Sequence, residues 1–337
     1  MAWVLFPRLL KADRRNGKTT LRKPFHFNLI RRVCRSRAFV LVAILAAAMA
    51  TAAARARPLD PRQTNAKVAP TALNDPELVY GFRLLYQLKF EQAREQVKKW
   101  EREQPEQPLG PALEAASALF EEFYREGVLT SEFFLDDKRL LGGIKGQPDA
   151  ELERQFASAA ERAENLAHRR LEKQPKDPDA LFALTLVGGM QANDLFVIQK
   201  RQLESLHHLR EADRNARILL EVAPDADDAY VALGSANYII GCLPSYKRAV
   251  LWMGGIHGDK ALGMQQVSRT AASEHAHYLR PFARLMLALA ALREKNPDLS
   301  RQQLQALVAE FPENPLFAAE LAKVTPVVTG TRSVADP

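Results

Sequence analysis

One spacing recurs three times in this sequence and constrains the fold more than any other feature. In each case an alanine inside a charged helical pattern is followed twelve residues later by a proline. The pairs are Ala93–Pro105, Ala163–Pro175 and Ala212–Pro224. A small residue lets a second helix pack closely and proline cannot continue a helix, so each unit is typical of a helix that ends one hairpin. Apolar residues recur at helical spacing from Asp75 onward, without sustained strand-like alternation. The sequence predicts an all-α protein.

The helices that open these hairpins share a second pattern. Residues 227–241, DDAYVALGSANYIIG, are predicted as one helix, with Tyr230, Leu233, Ala236 or Asn237 and Ile240 at helical spacing. Gly234 directly follows the leucine, and a second aromatic residue, Tyr238, lies near the end. Gly81 also precedes Ala93 by twelve residues. Together these patterns resemble the tetratricopeptide repeat (TPR) superfamily, in which glycine lets the partner helix approach. The resemblance covers roughly residues 75–324. It implies an α-solenoid of antiparallel helix hairpins, a TPR-like right-handed superhelix of about five irregular repeats with a C-terminal cap.

The repeats depart from the family period of about 34 residues. The closing prolines are 70 and 49 residues apart, and the excess lies in residues 127–149, in the entry to the helix that ends near Val222, and in residues 242–257. A fourth hairpin resumes at GDKALG, residues 258–263. A fifth is predicted to end at Pro312, before a capping helix over 316–324. Long inserted hairpins of this kind also resemble outlying exported TPR proteins, such as the helical component of some tripartite transporters.

The N-terminus has the composition of an export signal. Residues 1–56 hold twelve Lys and Arg and one Asp, and residues 38–54 contain no charge. A basic region, an apolar run and small residues after it predict a signal peptide or an uncleaved signal anchor, two alternatives that stay open. Residues 57–74 are predicted as a linker and 325–337 as a disordered tail. Either alternative places the body outside the cytoplasm, periplasmic or anchored to the inner membrane by residues 38–54.

The charge of the chain argues against a nucleic-acid partner. The net charge is +7, but the leader accounts for it, because residues 57–337 hold 35 basic and 39 acidic residues. A body with a net charge of −4 lacks the basic footprint that nucleic-acid binding needs. The sequence therefore predicts no nucleic-acid partner, and membrane contact only through the N-terminal segment.

The residue types that carry catalysis or bind metals do not form a known pattern here. Ser235 follows a glycine but lacks the G-x-S-x-G context. His207–His208 and His275–His277 lack the i, i+4 spacing of helical zinc ligands. Cys242 is interpreted as a small buried apolar residue. We expect no enzyme activity, no cofactor and no metal site.

The TPR resemblance implies that the first helices of the hairpins line a concave groove. The apolar side chains expected there are candidate partner-binding residues: Phe82, Leu85, Tyr86, Phe120, Phe182, Leu186, Tyr238 and Ile239. A mostly apolar groove predicts partners that bind through hydrophobic anchors. The first hypothesis is a non-enzymatic scaffold that binds a protein partner of the cell envelope. The alternative is an accessory or solute-binding component of a transport system that encloses a hydrophobic small molecule.

Overall fold

The computed structural model describes residues 71–253 and 257–325. Within these ranges the secondary structure is helical and contains no strand, which confirms the all-α prediction for this part of the chain. The leader, most of the linker and nearly all of the C-terminal tail lie outside the described residues, so the expectations about them stay predictions.

Fourteen α-helices occur in the described ranges. They are α1 (Pro76–Tyr86), α2 (Phe90–Glu103), α3 (Leu109–Arg125), α4 (Ser131–Leu135), α5 (Asp137–Gly142), α6 (Ala150–Lys173) and α7 (Pro178–Asn193), then α8 (Gln202–Val222), α9 (Tyr230–Cys242), α10 (Ser245–Met253), α11 (Lys260–Ala272), α12 (Arg280–Arg293), α13 (Pro297–Glu310) and α14 (Pro315–Val324). A π-helical turn over Asp194–Ile198 extends α7, and a 3₁₀ turn over Asp227–Ala229 precedes α9. The stretch predicted as one helix therefore begins with a tighter turn.

Short polar residues start many of these helices. Asp75, Asp149, Asp177 and Asp259 each accept hydrogen bonds from backbone N–H groups of the following turn, which lack partners within the helix. Proline also occupies the first helical position of α1, α7, α13 and α14, where the missing N–H costs nothing.

Contacts between helices follow the order of the chain. Five pairs of helices pack together: α1–α2, α3–α6, α7–α8, α9–α11 and α12–α13. Each pair also contacts the next pair, and α14 packs on α13. Two of the three regions with excess residues contribute short helices: in sequence, α4 and α5 come between α3 and α6, and α10 comes between α9 and α11. Helix α4 reaches across the fold to pack against α12.

Helices α9 and α11 cross at two glycines. A Cβ atom at Gly234 would lie 2.8 Å from the Gly263 carbonyl oxygen, and one at Gly263 would lie 2.5 Å from the Tyr238 backbone nitrogen. Real Cβ atoms do not approach backbone this closely, so only glycine permits the observed distance between the two helices.

The first described residues contact the last helices. We call this region the terminal contact, in which residues 71–89 meet residues 278–314. The Asp75 backbone N–H donates to the Tyr278 hydroxyl at 3.0 Å, and the Tyr86 hydroxyl donates to the Tyr278 carbonyl at 3.0 Å. The Asn314 amide donates to the Tyr86 carbonyl at 2.7 Å. Because Tyr278 is only 1% exposed, the terminal contact is part of the protein core.

One helical stretch of the described ranges, Pro178–Ile198, is apolar and long enough to span a membrane by length and composition alone. Within the fold 72% of this stretch is buried. It contacts α6 and α8 on its flanks and α3 as well. Its apolar character is accounted for by its position in the core.

Candidate functional site: an apolar cavity

The helices surround an apolar cavity of about 230 Å³. Its wall includes residues of α1, α3, α4, α5, α7, α8, α9 and α12, so it lies between helices that are distant in sequence. Most lining side chains are apolar, including Leu85 of α1, Leu119 of α3, Phe133 of α4, Met190 of α7, Leu209 of α8 and Met286 of α12. We call this space the central cavity.

The predicted groove residues divide into two groups. Six of the eight line the central cavity: Phe82, Leu85, Tyr86, Phe120, Leu186 and Ile239. Phe182 stacks on Tyr278 with ring centroids 5.7 Å apart, and Tyr238 stacks on Phe134 at 6.3 Å. Neither of these two lines the cavity. Only Leu186 and Ile239 are half-buried, and the other six residues are buried. Their role in partner binding stays a prediction.

The sequence patterns explain why most of these residues share one space. Each lies on a helix that opens a hairpin, and four such helices, α1, α3, α7 and α9, supply residues to the cavity wall. Sequence reasoning missed further lining residues, such as Phe133 on the inserted helix α4, Leu209 on α8 and Met286 on α12. The sequence does indicate α4, because the adjacent apolar residues of SEFFL, residues 131–135, directly follow Thr130, which caps this helix.

Few polar groups reach the cavity wall. The Thr185 hydroxyl donates to the Leu181 carbonyl at 2.8 Å, and the Ser205 hydroxyl donates to the Gln202 carbonyl at 2.7 Å. The Ser235 hydroxyl is buried and has no hydrogen-bond partner. A buried hydroxyl without a partner is costly, so Ser235 is the polar group of this wall that has most to gain from a ligand.

One carboxyl group also lines the cavity. Asp228 accepts hydrogen bonds from the backbone N–H groups of His277, Tyr278 and Leu279 at 3.1, 3.3 and 2.7 Å. Burial raises the pKa of Asp228 to about 7 against the opposing effect of these amides. Asp228 lies in the 3₁₀ turn before α9 and, through these three bonds, fixes the loop before α12.

Among the described residues, no three His, Cys, Asp or Glu side chains stand close enough to hold a metal ion. The exposed His207 lies 3.9 Å from Glu211, and burial lowers the pKa of His208. Cys242 is half-buried and not in a disulfide. The groups that line the central cavity can therefore exclude water and pack against a ligand, but they do not form a nucleophile–base pair.

The inserted helix α10 presents a different surface. Tyr246, Trp252 and Met253 are 69%, 66% and 75% exposed, and no other helix of the described ranges carries more than one large exposed apolar side chain. Exposed aromatic residues of this kind often mark interaction sites.

Comparison with protein-family models, with curated proteins and with solved structures finds no match for this chain.

Proposed function

We propose that this protein binds an apolar small molecule in the central cavity, as an exported, non-enzymatic helical repeat protein. This corresponds to an accessory or solute-binding component of a transport system. The observation that carries the proposal is the cavity itself, about 230 Å³ of space bounded by apolar side chains of eight helices.

The size and the lining of the cavity favour an apolar occupant. An apolar cavity of about 150 Å³ already stays dry and binds benzene, because water gains no hydrogen bonds there. Each methylene group that leaves water contributes about 0.8 kcal/mol. Eight buried methylenes would contribute about 6 kcal/mol before the entropic cost of binding is subtracted.

The helix contacts support a TPR-like arrangement as part of this proposal. Five pairs that pack in chain order, with a terminal helix on the last pair, are what a solenoid of antiparallel hairpins would produce. In our interpretation the terminal contact brings the first and last pairs together and turns an open groove into a cavity. An enclosed groove suits a small molecule better than a peptide.

A second candidate function is the binding of a protein partner of the cell envelope. The exposed Tyr246, Trp252 and Met253 of α10 favour it. Because six of the eight predicted groove residues are buried, we place such a partner on α10 and not in the groove. The two functions are compatible, as a transport accessory protein needs both a solute and a neighbour.

The cavity can be filled without disturbing its wall. Gly189 of α7 lines the cavity, and a Cβ atom built there meets nothing within 4 Å. We expect Gly189→Leu to fold and to occupy ligand space. Gly142 of α5 is a matched control, because its Cβ also meets nothing within 4 Å and it does not line the cavity.

The test is calorimetric titration of 1-dodecanol into the full chain. Wild type and Gly142→Leu should bind equally, and Gly189→Leu should bind about tenfold more weakly or not at all, since each 1.4 kcal/mol is a factor of ten. Equal binding by all three proteins would place the ligand elsewhere. Absence of binding to wild type would reject an apolar alcohol as a ligand and with it the proposal.

A further inference from the structure

A second, smaller pocket adjoins the central cavity at the terminal contact. It has a volume of about 100 Å³ and lies between α1 and the start of α12. Phe82 and Tyr86 line both spaces, so their rings form a shared wall. Arg83 and Arg280 also line this pocket. We call it the arginine pocket.

Positive charge at the arginine pocket exceeds negative charge. The Glu310 carboxylate lies 3.1 Å from Arg83, 3.0 Å from Arg284 and 3.7 Å from Arg280. One carboxylate therefore faces three guanidinium groups. The Arg83 side chain is about two-fifths exposed, and those of Arg280 and Arg284 are half-buried. Burial lowers the pKa of Arg284 and Arg280 lowers it further, against the opposing effect of Glu310.

One donor of this cluster is unused. The Arg280 Nε atom is buried and has no hydrogen-bond partner. Arginine presents its donors as a planar fork that matches two oxygens of a carboxylate or a phosphate. An anion beside Arg280 would satisfy this donor and compensate the excess charge.

Two other titratable groups face the pocket. Glu274 is exposed and forms no ion pair with these three arginines, and His277 is exposed at the rim. Burial, His275 and Arg280 all lower the pKa of His277, so it adds no positive charge at neutral pH. Among the residues that line the pocket, Arg83 and Arg280 balance Glu274 and Glu310. The excess of one positive charge comes from Arg284, which pairs with Glu310 beside the pocket.

We propose that the arginine pocket binds the anionic head group of an amphiphile, a carboxylate or a phosphate monoester, whose apolar chain lies in the central cavity. This inference rests on the proposed function for the chain and adds the chemistry of the head group. Joining the two spaces requires the ring of Phe82 or Tyr86 to move, and contacts with the chain replace those that the ring loses. The Arg280 guanidinium positions the head group.

The test compares ligands that share one chain length. Dodecanoate, dodecyl phosphate and 1-dodecanol are titrated into the full chain at pH 8, below their aggregation concentrations, beside acetate and inorganic phosphate. We expect the two anionic amphiphiles to bind about tenfold or more tightly than the alcohol, and added salt to reduce this preference. Acetate and phosphate should bind much more weakly, because they gain nothing from the cavity.

Variants separate the head group from the chain. Arg280→Gln should abolish the preference for the anions and leave the affinity for dodecanol unchanged, whereas Arg280→Lys should keep part of the preference. Arg217→Gln is a matched control, because Arg217 is an exposed arginine on α8 that pairs with Asp213 at 2.8 Å. Gly189→Leu should weaken all three twelve-carbon ligands.

Each result has a distinct meaning. If dodecanol binds and the anions bind no tighter, the arginine pocket is not a head-group site, although the cavity proposal stands. If none of the twelve-carbon ligands binds, both proposals fail. If acetate or phosphate binds as tightly as dodecanoate and depends on Arg280, the pocket takes a free anion and the amphiphile is rejected.

Discussion

Replacing Gly263 by alanine tests the close crossing of α9 and α11. The new Cβ atom would lie 2.5 Å from the Tyr238 nitrogen and 2.7 Å from the Gly234 oxygen, both backbone atoms. Ordinary contact begins at 3.4 Å, so the helices must separate by most of an ångström. Overpacking of this kind costs about 1–3 kcal/mol, and the upper end applies here because backbone cannot rotate away as a side chain can. Alanine recovers up to about 1 kcal/mol through its helix propensity. We expect a net loss of about 2 kcal/mol in the free energy of unfolding.

Gly189→Ala is the matched control for this loss. Gly189 is also a helical glycine, but a Cβ atom there meets nothing within 4 Å. Helix propensity then acts alone and should raise the free energy of unfolding by about 0.5–1 kcal/mol. Urea unfolding of the full-length variants, followed by circular dichroism, measures both changes. A Gly263→Ala protein as stable as wild type, or a Gly189→Ala protein that loses as much as Gly263→Ala, would refute the reasoning.

Two further predictions concern buried polar groups. Burial raises the pKa of Asp194 to about 6, above its value of about 3.9 in an unfolded chain. The folded protein therefore holds the proton more tightly than the unfolded chain does. The stability that this contributes is complete below pH 4 and is lost as the pH rises through 6. The free energy of unfolding of Asp194→Asn, measured by urea unfolding, should therefore rise by about 1–2 kcal/mol relative to that of wild type between pH 5 and pH 8. A difference in stability between the two proteins that does not change with pH would contradict this. Asn314 is 1% exposed, caps α14 and donates a hydrogen bond to the Tyr86 carbonyl. Asn314→Ala should therefore lower the free energy of unfolding by about 3 kcal/mol. Asn296→Ala removes only the cap of α13 and should cost about 1 kcal/mol by the same assay, and equal losses would mean that the bond to Tyr86 contributes nothing.

The ends of many helices could be predicted because they depend on local chemistry. The positions of Pro105, Pro175 and Pro224 indicate where α2, α6 and α8 end, and each of those helices ends two residues before its proline. Proline restricts the residue before it and cannot donate to a helix, whatever the rest of the chain does. Local rules of this kind also identify Asp75 as a cap.

The terminal contact could not be predicted, because its partners are far apart in sequence. The bond from Asp75 to Tyr278 spans 203 residues. Helical periodicity shows which face of α1 is apolar but not which element will cover it. The stretch around Tyr278 has no helical pattern, although Tyr278 is one of the largest fully buried side chains.

The candidate site was predictable only in part for the same reason. First helices of hairpins supply six predicted residues to the cavity, since their apolar faces are evident in the sequence. The arginine pocket was missed. Arg280 and Arg284 stand at i, i+4 and so share a helix face, but Arg83 and Glu310 come from distant helices. The excess of positive charge beside the pocket exists only in the folded protein, where these four side chains lie close together.

The central claim, that the cavity holds an apolar chain, is tested most directly by locating such a chain. A crystal structure of the full-length protein with 12-bromo-1-dodecanol would show the bromine by its anomalous scattering. The account predicts a bromine site inside the central cavity, within contact of Leu186, Met190 or Ile239. Bromine found only on the outer surface, for example against Trp252 of α10, would contradict the claim.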